Sequence, residues 1–428
     1  MRISGRRVAL TGTGGGGRRP QRGSAGAARW AVSAIFLVMG LTGGVWNARI
    51  PAAKSQVHLS DGTLGLALFA VPHGLVVGAA LAERLVDRMG SARLARICGI
   101  GNCAAIMTPG LARTLLELMA ALFIVGAFFG VVDVATNSQG VRVEGAYGRP
   151  VMTSMHAFFS LGAILGALAG AAFAWAGVGL FPSLAAVGAA GLLINVFAGR
   201  WLLPGTGRPA PAVPVTSEPG APRANEPGVP PPSPDARPVR RLVLALGLLS
   251  ICALVGEGAA GDWSAVYLRD NLGTSAGFAA LGFSAFSALM TLGRAVGDRL
   301  IHRLGVVPVI RVCGLTATAG LALALATPVP ALAIAGFTVF GAGLSVVAPQ
   351  VFAAGGRADP ARPGSGLAKV VGLGYTGQTA GPAIIGLVAD RIGLHLALFI
   401  PVALAAWIVV AAPVLDIPVA RLTAARIP

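Results

Sequence analysis

Twelve stretches of apolar residues decide most of what this chain can become. A helix needs roughly 20 apolar residues to cross the hydrocarbon of a bilayer. Such stretches run near 30–48, 62–82, 94–111, 115–138, 152–175, 180–199, 242–262, 276–297, 306–327, 329–352, 367–389 and 394–415. Short turns around Trp175–Leu180 and Thr327–Ala331 separate spans that a cruder scan would fuse. Lipid cannot satisfy an open backbone, and no alternating strand pattern is present, so helices are the expected spans. Composition enters only as a check. With 11% charged residues and a mean hydropathy of +0.76, the chain falls far below the roughly 25% charge of soluble proteins. The soluble, disordered, collagenous and disulfide-rich secreted classes are excluded.

The cations set the expected orientation. Lys and Arg favour cytoplasmic loops, and with a cytoplasmic N-terminus 28 of the 33 fall inside and five (Arg49, Lys54, Arg113, Arg269, Arg391) outside. Both termini are therefore expected in the cytoplasm of a multi-pass protein of the cytoplasmic membrane. The same spread over many loops argues against a nucleic-acid partner, because no aromatic-studded basic patch forms. Residues 1–29 read as a basic, disordered tail. Their Gly12-Thr13-Gly14-Gly15-Gly16-Gly17 run matches a dinucleotide pattern by accident, since Arg18-Arg19-Pro20 follows instead of a helix. Residues 200–241 read as a Pro-rich cytoplasmic linker. It divides a bundle at 30–199 from one at 242–415, with 416–428 as a tail.

The halves repeat. Asp87-Arg88 after span two and Asp298-Arg299 after span eight lie 211 residues apart. Arg149-Pro150 and Arg362-Pro363 are 213 apart, and Trp46-Asn47-Ala48 and Trp263-Ser264-Ala265 are 217 apart. An even number of spans per half makes this a parallel repeat about an axis along the membrane normal. The expected fold is an all-α integral membrane protein, with two six-helix bundles related by a pseudo-two-fold.

With six plus six spans, a long middle loop and Asp87-Arg88-Met89-Gly90 after span two, the chain resembles the major facilitator superfamily of secondary transporters. The likeness runs from Trp30 to about Leu415. The family loop pattern G-x-x-x-D-R-x-G-R-[RK] is kept at Asp87, Arg88 and Gly90. Glu83 replaces its first Gly and Ser91-Ala92 its basic pair, leaving Arg93 as a partial substitute. Trp46-Asn47-Ala48-Arg49-Ile50-Pro51, Asp133-Val134-Ala135-Thr136-Asn137 and Glu257 through Ser264 are similar to a bacterial, fucose-permease-like branch. The resemblance implies that spans one, four, seven and ten line a central cavity.

Carboxylates at membrane depth are costly, roughly 2.5–3.5 kcal/mol on insertion scales, and so are functional candidates. Glu257 on span seven is the expected proton switch. It could instead form a static pair with Arg49 or contact substrate. Asp133 on span four is a second proton-coupling candidate, with an inner-gate bond to Arg88 or Arg93 as its other reading. Small and polar stripes (Gly126, Gly130, Asp133, Asn137; Ser250, Glu257, Gly261, Ser264) face protein or water. Trp46, Asn47, Arg49, Asn137, Asp262, Trp263, Tyr375 and Gln378 are candidate substrate contacts, and Asp87, Arg88, Arg93, Glu144, Asp298 and Arg299 candidate gates. His73 and His156 read as packing residues, Cys98, Cys103, Cys252 and Cys313 as buried small residues, and Gly162, Gly166 and Gly170 as a helix-packing stripe. No metal spacing, cofactor motif or P-loop is present. An enzyme is not expected. The expected function is a secondary transporter, monomeric and proton-coupled, carrying a sugar-like polar solute. Drug or metabolite efflux and a non-transporting receptor or scaffold are the alternatives.

Overall fold

A computed structural model describes residues 22–147, 151–204, 236–358 and 363–416. Most of the tail expected at 1–29 and of the linker expected at 200–241, all but the start of the 416–428 tail, and the Arg149-Pro150 and Arg362 repeat positions lie outside them. The described residues are helical apart from short connections. The first half contributes α1 (Arg22–Val57), α2 (Asp61–Met89), α3 (Ser91–Leu111), α4 (Leu115–Tyr147), α5 (Met152–Trp175) and α6 (Leu180–Trp201). The second contributes α7 (Ala236–Val266, ending in a π turn over Tyr267–Asn271) and α8 (Ala276–Ala279 continued by Leu281–Leu304). Then come α9 (Val306–Ala326), α10 (Pro330–Ala358), α11 (Pro363–Ile392) and α12 (Leu394–Asp416).

Eleven helices among the described residues are long and apolar enough to cross a membrane. The one outside that number is α11, which carries Tyr375, Thr376, Gln378 and Thr379 along its length. The expected helix starts shift outward: α1 begins eight residues before Trp30, and α7 begins inside the segment read as linker.

The duplication is visible in backbone detail. Ser60 caps α2 by accepting the Thr63 N–H, and Ser275 caps α8 by accepting the Phe278 N–H, at an interval of 215 residues. The turn after α2 needs a residue with positive φ, supplied by Gly90 at 78°, and the turn after α8 uses Gly305 at 86°, again 215 residues on. A side chain at positive φ crowds the following carbonyl, which is why glycine holds both turns.

Within each half, helices meet backbone to backbone. Gly40 and Gly44 of α1 lie against carbonyls of α5, and Gly162 and Gly166 of α5 against carbonyls of α1. Gly74 and Gly78 of α2 meet α4, and Gly126 and Gly130 of α4 meet α2, in the same way. Small residues permit this approach and gain dispersion where lipid supplies no hydrophobic drive. The lipid-facing surface is apolar: Leu396, Phe399, Trp407 and Val410 of α12 are all exposed.

Between the halves, α2 packs on α11 and α5 packs on α8. Since α2 corresponds to α8 and α5 to α11, one contact becomes the other when the halves are exchanged. That is the pseudo-two-fold expected from the sequence. The α2–α11 contact is made mainly by Asp61–Leu68. Beyond Phe69 the two helices diverge, leaving space between the halves. Equivalent turns should respond equally: Gly90→Ala and Gly305→Ala should each destabilise the protein by about 1–2 kcal/mol, read as matching shifts in thermal unfolding.

Candidate functional site

The space between the halves is a cavity of about 370 Å3, within the range of small-molecule sites. Trp46 and Asn47 come from α1, Glu257, Gly261 and Asp262 from α7, Arg294 from α8 and Gln378 from α11. Phe159 of α5 and Phe283 and Phe286 of α8 add aromatic wall, and Ser160, Ser287 and Thr291 add hydroxyls. Gly261 brings the two halves close, because a Cβ there would lie 3.2 Å from the Asn47 side-chain nitrogen. Asn47 of the first half thereby faces the α7 acids of the second.

Glu257 is held by Arg294. One guanidinium nitrogen lies 3.3 Å from Oε1 and 3.4 Å from Oε2, while Nε donates to the Ser345 carbonyl at 3.2 Å. Ser345 sits at the break in α10, where carbonyls lose their helical donors. Arg294 thus ties α7, α8 and α10 into one charged node. This corrects two expectations. Glu257 does not pair with Arg49, and Arg294, which the sequence places among loop cations, borders the cavity. Asp262 is half-buried in the cavity wall and has no ion-pair or hydrogen-bond partner among the described residues.

The first-half acid is organised differently. The Asn137 amide donates to the Asp133 side chain at 3.0 Å and to its backbone carbonyl at 2.9 Å. The Asn137 oxygen meets His156 Nε2 at 3.1 Å, and the His156 ring packs on Phe36 with centroids 4.3 Å apart. His156, read as packing alone, is also a hydrogen-bonding partner. Tyr375, 48% exposed on α11, stands within electrostatic reach of both Asp133 and Glu257.

Several expected contacts are elsewhere. Trp263 is fully buried, its ring against Gly386 of α11, so it packs the core and does not reach the cavity. Arg49 is 4% exposed and donates to the Val178 carbonyl at 2.6 Å, at the far end of the helices. Asn137 serves Asp133 and His156 and does not line the cavity. Of the α7 stripe, Ser250 and Ser264 are buried, while Glu257 and Gly261 border open space.

The expected gates divide. Glu144 accepts the N–H groups of Val151 at 2.8 Å and Met152 at 2.9 Å, capping α5 where free N–H groups and the helix dipole favour a carboxylate. It therefore serves as a cap. Asp87, Arg88, Arg93 and Arg299 are exposed, and no ion pair joins them to Asp133 among the described residues. The Asp298 side chain lies outside the description. Among the described residues, the hydrogen bonds between the halves gather at the opposite end, where α1 passes to α2. Lys54 Nζ lies 2.6 Å from Asp61 and 2.6 Å from Asp270 of the other half. Asp390 of α11 accepts from the Gly62 N–H at 2.8 Å and the Ser60 hydroxyl at 2.9 Å. None of these four acidic and basic residues stands out in the sequence, because each looks like ordinary loop charge until its distant partner is known.

A family model described as Major Facilitator Superfamily matches residues 31–368. The chain is 36% identical over 388 residues to the uncharacterised transporter y4wD of Sinorhizobium fredii, covering 90% of this chain and 97% of that one. It is 32% identical over 362 residues to an uncharacterised MFS-type transporter of Yersinia pestis, covering 85% and 89%. Among solved structures it is similar to the nucleoside transporter NupG, with TM-score 0.68 and 14% identity over 91% of this chain and 98% of that one. It is also similar to FucP in the outward conformation, with TM-score 0.57 and 17% identity over 92% and 100%.

Removing one member of the Glu257–Arg294 pair should cost more than removing both. Arg294→Gln leaves a carboxylate without its cation and should destabilise by about 1–3 kcal/mol. Adding Glu257→Gln should recover most of that loss in thermal unfolding.

Proposed function

The chain belongs to the major facilitator superfamily and is a multi-pass membrane transporter, and we propose that it is a proton-coupled secondary transporter of a small polar, sugar-like solute. The cavity between the halves carries this reading. Asn47, Gln378 and three hydroxyl side chains offer paired donors and acceptors, Trp46 offers an apolar ring face, and Glu257, Asp262 and Arg294 supply charge. Leu68, Val71, Leu75, Phe283, Phe286 and Met290 line the rest of the wall, and the alternative, efflux of an amphipathic drug, would use that apolar surface.

In the proposed cycle Glu257 is the coupling acid. Protonation removes its charge, dissolves the contact with Arg294 and frees the guanidinium to hydrogen-bond the solute. Deprotonation restores the pair and releases the solute. Asp133 is a second site for the proton, with Tyr375 within electrostatic reach of both acids. Asp262, without a partner of its own among the described residues, is available to solute hydroxyls.

The cation bias supports an orientation with both termini in the cytoplasm of the cytoplasmic membrane, and with the segments 1–29, 200–241 and 416–428 on that side. Moving Arg294 out of the loops lowers the count on that side from 28 cations to 27, against five on the other. The bonded α1–α2 end then faces outward, and the cavity opens to the cytoplasm. Alternating access exchanges this closure for one at the other end.

In proteoliposomes with an imposed pH gradient, the wild-type protein should accumulate its solute uphill. Glu257→Gln should lower that accumulation at least about tenfold, equivalent to about 1.4 kcal/mol of driving force, while solute exchange continues. Unchanged uphill uptake in the variant would remove Glu257 from the coupling step, and extrusion in place of uptake would favour efflux.

A further inference from the structure

Asp390 ends α11 with its carboxylate on the first turn of α2. One oxygen takes the Gly62 N–H at 2.8 Å and the other takes the Ser60 hydroxyl at 2.9 Å. Ser60 is the N-cap of α2 and already accepts the Thr63 N–H, so Asp390 completes a helix start belonging to the other half. The first N–H groups of a helix have no partner within it, and the dipole there favours an anion. Gly62 is required for the contact, because a Cβ at that position would occupy the place of the Asp390 carboxylate. One turn further on, Gly65 lies against the Pro382 carbonyl and Gly386, so the helices touch directly behind the carboxylate.

The duplication supplies a second view of the same socket. Ser60 corresponds to Ser275, Gly62 to Gly277 and Trp175 to Asp390, each at an interval of 215 residues. In the other half Gly277 does meet Trp175, whose indole lies directly over it. One socket therefore holds a carboxylate by hydrogen bonds, and its twin holds an aromatic ring by packing. Hydrogen bonds of the first kind can pass to water when the helices part. The second contact is apolar and has no such exchange.

We propose that Asp390 is a gating residue of the transport cycle, latching α11 onto α2 when the α1–α2 end is closed, while the Trp175 contact with Gly277 at that same end packs the halves together without acting as a latch. Lys54, bridging Asp61 of its own half and Asp270 of the other, closes the same end. This assignment rests on the transporter reading but not on the solute or on proton coupling.

Spin labels test it in the full chain in nanodiscs, without solute, after replacing the four cysteines by alanine. One pair, at Ser55 and Arg391, reports the latched end, and another, at Arg93 and Arg303, the opposite end. All four are exposed positions. Asp390→Ala and Gly62→Ala should each add a longer-distance population at the first pair, with a matching shorter one at the second. Asp390→Asn, which keeps shape and acceptor but loses charge, should shift both the same way by less. Trp175→Leu should leave the latched-end distances as in the wild type. Unchanged distributions in the Asp390 and Gly62 variants, or lengthening at the first pair without shortening at the second, would overturn the latch. Opening by Trp175→Leu as large as that by Asp390→Ala would overturn the division between the two sockets.

Discussion

A bilayer core offers nothing to a hydrogen-bonding group, and that single constraint organises this molecule. A carboxylate or guanidinium placed at membrane depth has to be answered by a partner inside the protein or by a cavity away from lipid. Glu257 is answered by Arg294, Asp133 by Asn137, and Arg49 by the carbonyl of Val178. These groups turn inward and keep the lipid-facing surface apolar. Of these groups, Glu257 and Arg294 border the cleft between the two bundles. The position of the cleft follows from where the halves touch and where they part.

The contacts between halves are of mixed kind, unlike those within each half. Inside a bundle, glycines let neighbouring helices press carbonyl against Cα with no side chain between. Across the boundary, the hydrogen bonds of Lys54 and Asp390 gather at one end, while the charged node of Glu257 belongs to the second half and borders the cavity. The boundary is therefore the place where small changes in charge alter contact, while the bundles themselves hold their shape.

Much of this is legible from the residues alone. Apolar runs locate spans because membrane thickness sets their length, and the Asp87 and Asp298 loops expose the repeat. Glu257 stands out because an acid at that depth needs a reason. Arg294 hides for the opposite cause: an arginine near the end of a span looks like a topology signal, and only its helical phase relative to Ser287 and Thr291 hints at the cavity. Trp263 misleads because a tryptophan near a helix end suits a site, an interface or a core equally well. The Asp390 contact cannot be read at all, since its partner Gly62 is 328 residues away and neither residue is unusual in its own neighbourhood.

The glycine seams within the bundles have a mechanical consequence. Soft side chains between helices would absorb a displacement by changing rotamer, whereas abutting backbones have almost nothing that can yield. Each bundle then behaves as a stiff lever. A shift at one rim is carried across the membrane with little damping and arrives at the opposite rim as motion of comparable size.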